Sequence, residues 1–317
     1  MKLYQRDEIE AVVGIDEDAL RQVEAGFAAL GRGEVEQPPI LSMAMEEFNS
    51  EVDVKTAHIK GWERYAIKVS SGAFDNPKRG LPSLSGLMML FSAETGRVEA
   101  VLFDEGYLTM VRTAVAGAIA AKHLSREDSR RVAVIGAGEQ AQRQVEALRL
   151  VRDVDTLDVW ARRAENAEAY ADRMRSRGLT VSLHDSVHAA CAQADIIITA
   201  TPSREPLLHA SDLPEGVHVT AMGSDSPDKR ELDESVLTRA DVFVCDTRAQ
   251  SEHNGELKVF ANAGREPPFK VYELGQVIER GENLRVSEAT ITLCDLTGTG
   301  VQDTAIANFT LAQLTPQ

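Results

Sequence analysis

The stretch Arg131-Val-Ala-Val-Ile-Gly-Ala-Gly-Glu-Gln-Ala141 decides the fold. Val132 to Ile135 form an unbroken apolar run, the signature of a strand buried on both faces of a parallel sheet. Gly136, Gly138 and Ala141 follow in the spacing G-x-G-x-x-A, and a helix-favouring run then extends from Glu139 to Leu150. Gly136 permits the tight turn, Gly138 lets backbone approach a pyrophosphate, and Ala141 lets the helix pack closely on the strand. The helix start offers unpaired N–H groups and the positive end of its dipole to phosphates. Strand, turn and helix together point to a bound nicotinamide or flavin dinucleotide.

Downstream, apolar runs alternate with helical patterns in the doubly wound manner. Strands are expected at Thr156–Ala161, Thr180–Leu183, Asp195–Ala200, His218–Met222 and Asp241–Cys245, with a helix over Glu165–Arg177. Gly298-Thr-Gly-Val-Gln-Asp303 leads into a last helix, Thr304–Leu314. Upstream, Ile15–Leu30 reads as an amphipathic helix with Leu20, Val23, Phe27 and Leu30 on one face. Strands over Val52–Ile59, Tyr65–Ser70, Gly86–Ser92 and Glu99–Asp104 follow, separated by turn chemistry such as Asp75-Asn-Pro77 and Thr95-Gly96. Thr109–Leu124, small, apolar and Ala-rich with Arg112 near its start, reads as a buried helix. The charged connector Arg126–Arg131 marks a domain boundary, so the dinucleotide segment comes second in the chain.

A chain of 317 residues with a formal charge of −16 is long enough for two cores, and its acidity argues against nucleic acid or an anionic membrane as partner. Cys191, Cys245 and Cys294 lie far apart, which indicates neither a disulfide framework nor a thiolate metal site. The start, Met1-Lys-Leu-Tyr-Gln-Arg-Asp-Glu8, lacks a signal-peptide core, and no apolar run reaches the ~20 residues of a membrane span. A cytoplasmic location is expected.

The expected cofactor contacts are Gly136, Gly138, Glu139, Gln140, Ala141, Thr201, Arg162, Thr113 and Gly300. An acid at the end of the second strand would select NAD(H), whereas a basic residue accommodates the extra phosphate of NADP(H). Here Arg162 and Arg163 follow the strand, and the nearby acid, Asp158, lies inside it, so either cofactor is permitted. Lys68 alternates with Ile67 and Val69, and pattern alone favours a solvent-facing strand lysine. Arg112 interrupts an apolar helix and needs an anionic partner if buried. Asp225 follows a strand of the dinucleotide domain, where ligands bind, although a turn or cap aspartate reads equally well. His184 and His188 stand i, i+4 with Cys191 beyond, but no carboxylate completes the set and no metal is expected.

These pieces together resemble the ornithine cyclodeaminase/μ-crystallin family. The matching stretches are Ala66-Ile-Lys-Val-Ser-Ser71, Asn76-Pro-Lys-Arg-Gly-Leu-Pro82, Leu108-Thr-Met-Val-Arg-Thr113, the Gly-rich turn, Ala221-Met-Gly-Ser-Asp225 through Leu232, and Gly298–Asp303. The resemblance implies an α/β fold in which a Rossmann domain, 129–292, is inserted into a strand-rich α+β substrate and dimerisation domain, 1–128 completed by 293–317. It implies a homodimer, with Lys68 and Arg112 on the substrate carboxylate and Asp225 handling protons beside the nicotinamide. The family usually carries a further carboxylate-binding arginine early in the first domain. Here Pro38-Pro-Ile-Leu-Ser-Met-Ala-Met45 has none, and Lys55 stands where relatives commonly have methionine. Glu51-Val-Asp-Val-Lys-Thr-Ala57 and Asp104-Glu-Gly-Tyr-Leu108 look most like the ectoine-utilisation branch, which includes iminosuccinate reductase. A second cation at Lys55 favours a dicarboxylic imine as substrate. Period two leaves Lys55 either in the pocket or in solvent beside Asp53. The expected activity is an NAD(P)H-dependent imine reductase or amino-acid dehydrogenase, set against a cyclodeaminase and against a crystallin-like binder without turnover.

Overall fold

The structure, a computed structural model, describes residues 1–315 and divides into two compact units, Met1–Arg112 with the chain from Thr299 onward, and Thr113–Gly298.

In the first unit the strands are β1 (Lys2–Gln5), β2 (Val35–Glu36), β3 (Leu41–Met45), β4 (Ser50–Ile59), β5 (Arg64–Ala73), β6 (Leu84–Ser92) and β7 (Val98–Phe103). They form one sheet in the order β1-β7-β6-β5-β4-β2, with β3 on β4, and every pair is antiparallel except β1 with β7. A short helix α1 (Arg6–Glu10) and a longer α2 (Glu17–Gly31) follow β1, and Asp16 caps α2 by accepting the Ala19 N–H. α2 buries Leu20, Val23 and Phe27, the face expected from their spacing. The C-terminal helix, Gly300–Leu314, packs on α2 and covers one face of β4 and β5.

That helix begins four residues before the expected start at Thr304. The reason is its burial pattern: Gly300 through Ala307 are all buried, polar Gln302, Asp303 and Thr304 included, so no amphipathic stripe marks its first turns. The Thr304 hydroxyl accepts the Ala66 N–H at 3.1 Å and donates to Ala57 O at 2.7 Å, tying the helix to both strands.

The second unit is doubly wound. Its strands are β8 (Arg131–Ile135), β9 (Thr156–Trp160), β10 (Thr180–Leu183), β11 (Ile196–Thr199), β12 (His218–Ala221), β13 (Val242–Cys245), β14 (Val271–Glu273) and β15 (Thr292–Asp295). They run all parallel in the order β10-β9-β8-β11-β12-β15-β13-β14. α3 (Tyr107–Leu124) leads into the sheet; α4 (Glu139–Leu148), α5 (Ala164–Arg175), α6 (Val187–Cys191), α7 (Glu234–Arg239), α8 (Arg248–His253), α9 (Lys258–Asn262) and α10 (Leu274–Arg280) connect its strands. The strand order reverses at β8 and β11, and ligands of such sheets bind at the carboxyl ends of those strands.

The compact units part inside α3 and after Gly298, not at the expected 128/129 and 292/293. Ala121 belongs to the core of the second unit with Val132, Val134 and Val145, which carries this end of α3 with the sheet. Thr292–Asp295, whose short Thr-Leu-Cys-Asp wording gave no strand signal, sits between β12 and β13.

Gly300 meets the backbone of β4: a Cβ there would stand 2.3 Å from Thr56 O and 2.6 Å from Thr56 C. Alanine for glycine inside a helix ordinarily stabilises by about 1 kcal/mol. At Gly300 the sign should reverse. Gly300→Ala is expected to lower stability by roughly 1–3 kcal/mol, the usual result of overpacking against atoms that cannot yield. A thermal melt checks this, and an unchanged or higher midpoint would mean that the helix start is free to shift.

Candidate active site

In the first unit, β4 and β5 pair with Lys55 opposite Lys68. Period two places Lys55, Ala57 and Ile59 on the covered face of β4, and Ala66 and Lys68 on the covered face of β5. Lys68 is 2% exposed and Lys55 6%. The solvent-facing reading of Lys68 is therefore corrected. Ile67 and Val69, the apolar neighbours that suggested the opposite, lie on the half-buried face, because the C-terminal helix covers the lysine side. Lys55 does not lie in solvent beside Asp53, whose carboxylate accepts the Ser42 hydroxyl.

The C-terminal helix brings Asp303 to these lysines. The Lys68 Nζ lies 3.2 Å from Asp303 Oδ2, and the Arg112 Nε donates to Asp303 Oδ1 at 2.9 Å. Arg112 also donates from Nη1 to Gln302 Oε1 at 3.0 Å. Asp303 is fully buried. Burial works against its charge, but Lys68 and Arg112 outweigh that and hold its pKa below the ordinary carboxylate value. Burial, reinforced by the charge of Arg112, pushes the Lys68 ammonium down to about 7; Asp303 opposes the shift and Lys55 adds to it. Asp104, also buried, is pushed by burial toward its neutral form while it accepts the Leu108 N–H. Lys68, Arg112 and Lys55 thus all favour the ionised form of the Asp303 carboxylate.

Asp303 and Gln302 escaped the sequence reading as functional residues. Their signal was their place in Gly298-Thr-Gly-Val-Gln-Asp303, read as the lead into the last helix and as one of the stretches that carry the family resemblance.

In the second unit, Gly136 follows β8 with φ +120°, and a Cβ there would lie 2.6 Å from Ala200 O. Only glycine takes that backbone without strain. Gly138 is the N-cap of α4, and a Cβ built on it meets nothing within 4 Å. The space before the helix is therefore open. The N–H groups of Glu139, Gln140 and Ala141 form the first turn, which has no intrahelical acceptors. The buried Gln140 Nε2 has no partner among the described residues. The Glu139 carboxylate turns along the helix to Arg143, 3.3 Å away. Ala141 is fully buried under the strand. An open helix start, a glycine at positive φ and an unpaired amide fit a dinucleotide pyrophosphate. Thr113 O accepts the Gln144 Nε2 of α4 at 2.9 Å, placing Thr113 beside that helix. Arg162 is exposed just beyond β9, while Asp158 is buried and spent on Arg131 and His184.

Thr201, beyond β11, donates to Glu231 Oε1 from both N and Oγ1 at 2.7 Å. Glu231 Oε2 accepts the Thr199 hydroxyl at 2.6 Å and the Gly223 N–H at 2.7 Å. One buried carboxylate thereby fixes the turns after two neighbouring strands. Sequence reasoning missed Glu231, since its partners are 8 to 32 residues away. Asp225 lies on the turn after β12, half exposed and ion-paired with Lys229 at 2.7 Å. Gly300 is the one expected cofactor residue that belongs to the first unit's interior, where its close approach to Thr56 accounts for the missing side chain. His184 and His188 bond different carboxylates, Asp158 at 2.7 Å and Asp212 at 3.0 Å, and Cys191 is buried with its thiol pushed up to about 12.

Fold and site define a two-unit dinucleotide enzyme of the Rossmann class. The chain belongs to the ornithine cyclodeaminase/mu-crystallin family, whose sequence profile matches residues 1–315. It is 47% identical to an uncharacterised cyclodeaminase of Sinorhizobium fredii, over 98% of this chain and 94% of that protein. Among solved structures it resembles an archaeal alanine dehydrogenase dimer with bound NAD, with a TM-score of 0.91 and 32% identity over 99% of this chain and 95% of that one. It also resembles the iminosuccinate reductase of Paracoccus denitrificans in complex with NAD+, with a TM-score of 0.89 and 30% identity over 99% and 96%.

Behind the Glu231 ties lie two more buried carboxyls. Glu256 Oε1 accepts the Glu231 and Leu232 N–H groups, and its Oε2 has no partner among the described residues. Burial, then the Asp295 charge, pushes Glu256 up to about 8; burial, joined by Asp246, pushes Asp295 to about 7. The native state therefore holds the Glu256 proton where the unfolded chain has released it, and that stabilisation is lost as pH rises from about 4.5 to about 8. Glu256→Gln keeps the acceptor and removes the titration. Its melting temperature should gain on the parent's by about 3–6 °C between pH 5 and pH 9, the shift produced by roughly 1.5–3 kcal/mol. A gap that stays constant with pH would show that Glu256 does not hold the proton.

Proposed function

We propose that this protein is an NAD(P)H-dependent imine reductase or amino-acid dehydrogenase whose substrate is dicarboxylic, reducing iminosuccinate to aspartate. The observation that carries this reading is that Lys55, Lys68 and Arg112 are buried together and all act on the buried carboxylate Asp303. Three cationic side chains in one buried place suit an anionic ligand. Lys68 and Arg112 hold the carboxylate beside the reacting carbon, and Lys55 takes the second. When bound, the dinucleotide supplies or accepts the hydride. Gly136, Gly138 and the first turn of α4 hold its pyrophosphate, and Arg162 is open to the extra phosphate of NADP(H). Asp225 carries the proton that the imine nitrogen gains, directly or through water.

The protein works as a homodimer in this reading. Leu41 and Met43 on the edge strand β3, with Phe48 and Leu84, are more than half exposed, an apolar surface that a second copy would cover. No helix among the described residues is long and apolar enough to cross a membrane, and we place the enzyme in the cytoplasm.

Oxaloacetate with ammonia supplies iminosuccinate, and net consumption of NADH or NADPH in that mixture tests the proposal. A cyclodeaminase would instead release ammonia from ornithine with no net change at 340 nm, and a binder without turnover would do neither.

The substrate's carboxylate needs Lys68 as an ammonium, and that proton leaves as pH rises through about 7. kcat/KM should therefore fall above that pH. Lys55→Met should raise the KM for the dicarboxylic imine ten- to a hundredfold, the effect of losing one charge-assisted contact of roughly 1.5–3 kcal/mol. Because Lys55 helps to lower the Lys68 pKa, the same substitution should move the alkaline limb to higher pH. Activity on pyruvate with ammonia should be spared; equal loss on both substrates would make Lys55 structural. Asp225→Asn should cut turnover by roughly two to four orders of magnitude with little change in cofactor affinity. A near-parental rate would reduce Asp225 to a turn residue.

A further inference from the structure

The turn that carries Asp225 is held by a lysine from a different element. Lys258, the first residue of α9, is 5% exposed, and its Nζ donates to Ser224 Oγ at 2.9 Å, Ser226 O at 3.0 Å and Asn254 O at 2.9 Å, and closely to Lys229 O. All four acceptors are uncharged oxygens. Three belong to residues 224 to 229, on both sides of Asp225. The fourth, Asn254 O, is the carbonyl at the C-cap of α8, where the helix dipole favours a cation. Ser224 reinforces the arrangement: its hydroxyl lies 2.9 Å from Lys229 O and 3.1 Å from Asn254 O.

A buried ammonium among carbonyls gives up hydration, and burial lowers its pKa accordingly. What it gains is a cinch. The irregular segment between β12 and α7 is tied at its two ends, by the Met222 N–H on Thr199 O and the Gly223 N–H on Glu231 Oε2 at the start, and by the Arg230 N–H on Ser203 O and the Leu208–Leu232 bridge at the close. Lys258 gathers the stretch between, residues 224–229, around one point charge. Lys229, whose carbonyl is gathered, pairs through its side chain with Asp225.

We propose that Lys258 is a positioning residue for Asp225, its ammonium filling an oxygen cage that sets where the Asp225 carboxylate stands. The proposal rests on the acid–base reading of Asp225 and deepens it. In Lys258→Met the stem remains and the charge is gone. Amide hydrogen exchange over residues 223–230 should quicken at least tenfold, while residues 134–147 at the dinucleotide turn keep their rates. kcat should fall ten- to a hundredfold, as misplacing a reacting group by about 1 Å does, with NADH affinity unchanged within about twofold. In Lys258→Ala, added n-propylammonium should restore slow exchange, whereas tetramethylammonium at the same ionic strength should not.

Unchanged exchange over 223–230 in both variants would overturn the proposal. So would faster exchange throughout the unit with no rescue by propylammonium, which would make Lys258 a general stabiliser. Asp225→Asn separates the two claims. If that variant keeps its turnover, the acid–base role falls, and the exchange and rescue results alone decide the cage.

Discussion

Taking an ammonium or a guanidinium out of water is tolerated only where opposite charge awaits it, and the first unit is arranged around the carboxylate that meets this condition. Asp303 receives Lys68 and Arg112 at 3.2 and 2.9 Å. It arrives on a helix whose start depends on Gly300 lying against Thr56, so backbone packing and charge pairing form one constraint. Lys55, directly across the ladder from Lys68, places a like charge beside it and helps to lower the Lys68 pKa.

The second unit solves a different problem, that of holding loops still at the end of a parallel sheet. Strand ends at a topological switch point are where ligands bind because the turns diverge there, and diverging turns lack ladder hydrogen bonds. Buried single side chains substitute for the ladder. Glu231 accepts four donors, from the last residue of β11 and from the turns after β11 and β12, and Lys258 donates to oxygens on either side of Asp225. The two are complementary, an acceptor for the N–H side and a donor for the carbonyl side. Glu256 and Asp295 continue the polar layer inward as carboxyls that burial drives toward the neutral form. Such groups provide hydrogen bonds without the full desolvation cost of a charge.

Membership of the ornithine cyclodeaminase/mu-crystallin family agrees with this division of labour. The alanine dehydrogenase and iminosuccinate reductase that the chain resembles share the whole architecture, each matched over 99% of this chain.

The sequence by itself determined whatever was local. The apolar run 132–135, the two glycines and the helix after them act within eleven consecutive residues, and the turn they specify is the turn found. Strands β8 to β13 and helices α4 and α5 of the second unit were legible for the same reason, as was the apolar face of α2, whereas β14, β15 and the short helices α6 to α10 were not. Only the tertiary structure decided which side of a strand is the inside. Lys68 alternates with Ile67 and Val69, and local pattern puts the lysine in water. The C-terminal helix, more than two hundred residues away in sequence, covers that side and turns the lysine into a buried anchor. Asp303, Glu231 and Lys258 were illegible in the same way. A charged residue declares its role only through the partner it meets, and folding, not spacing, brings those partners together.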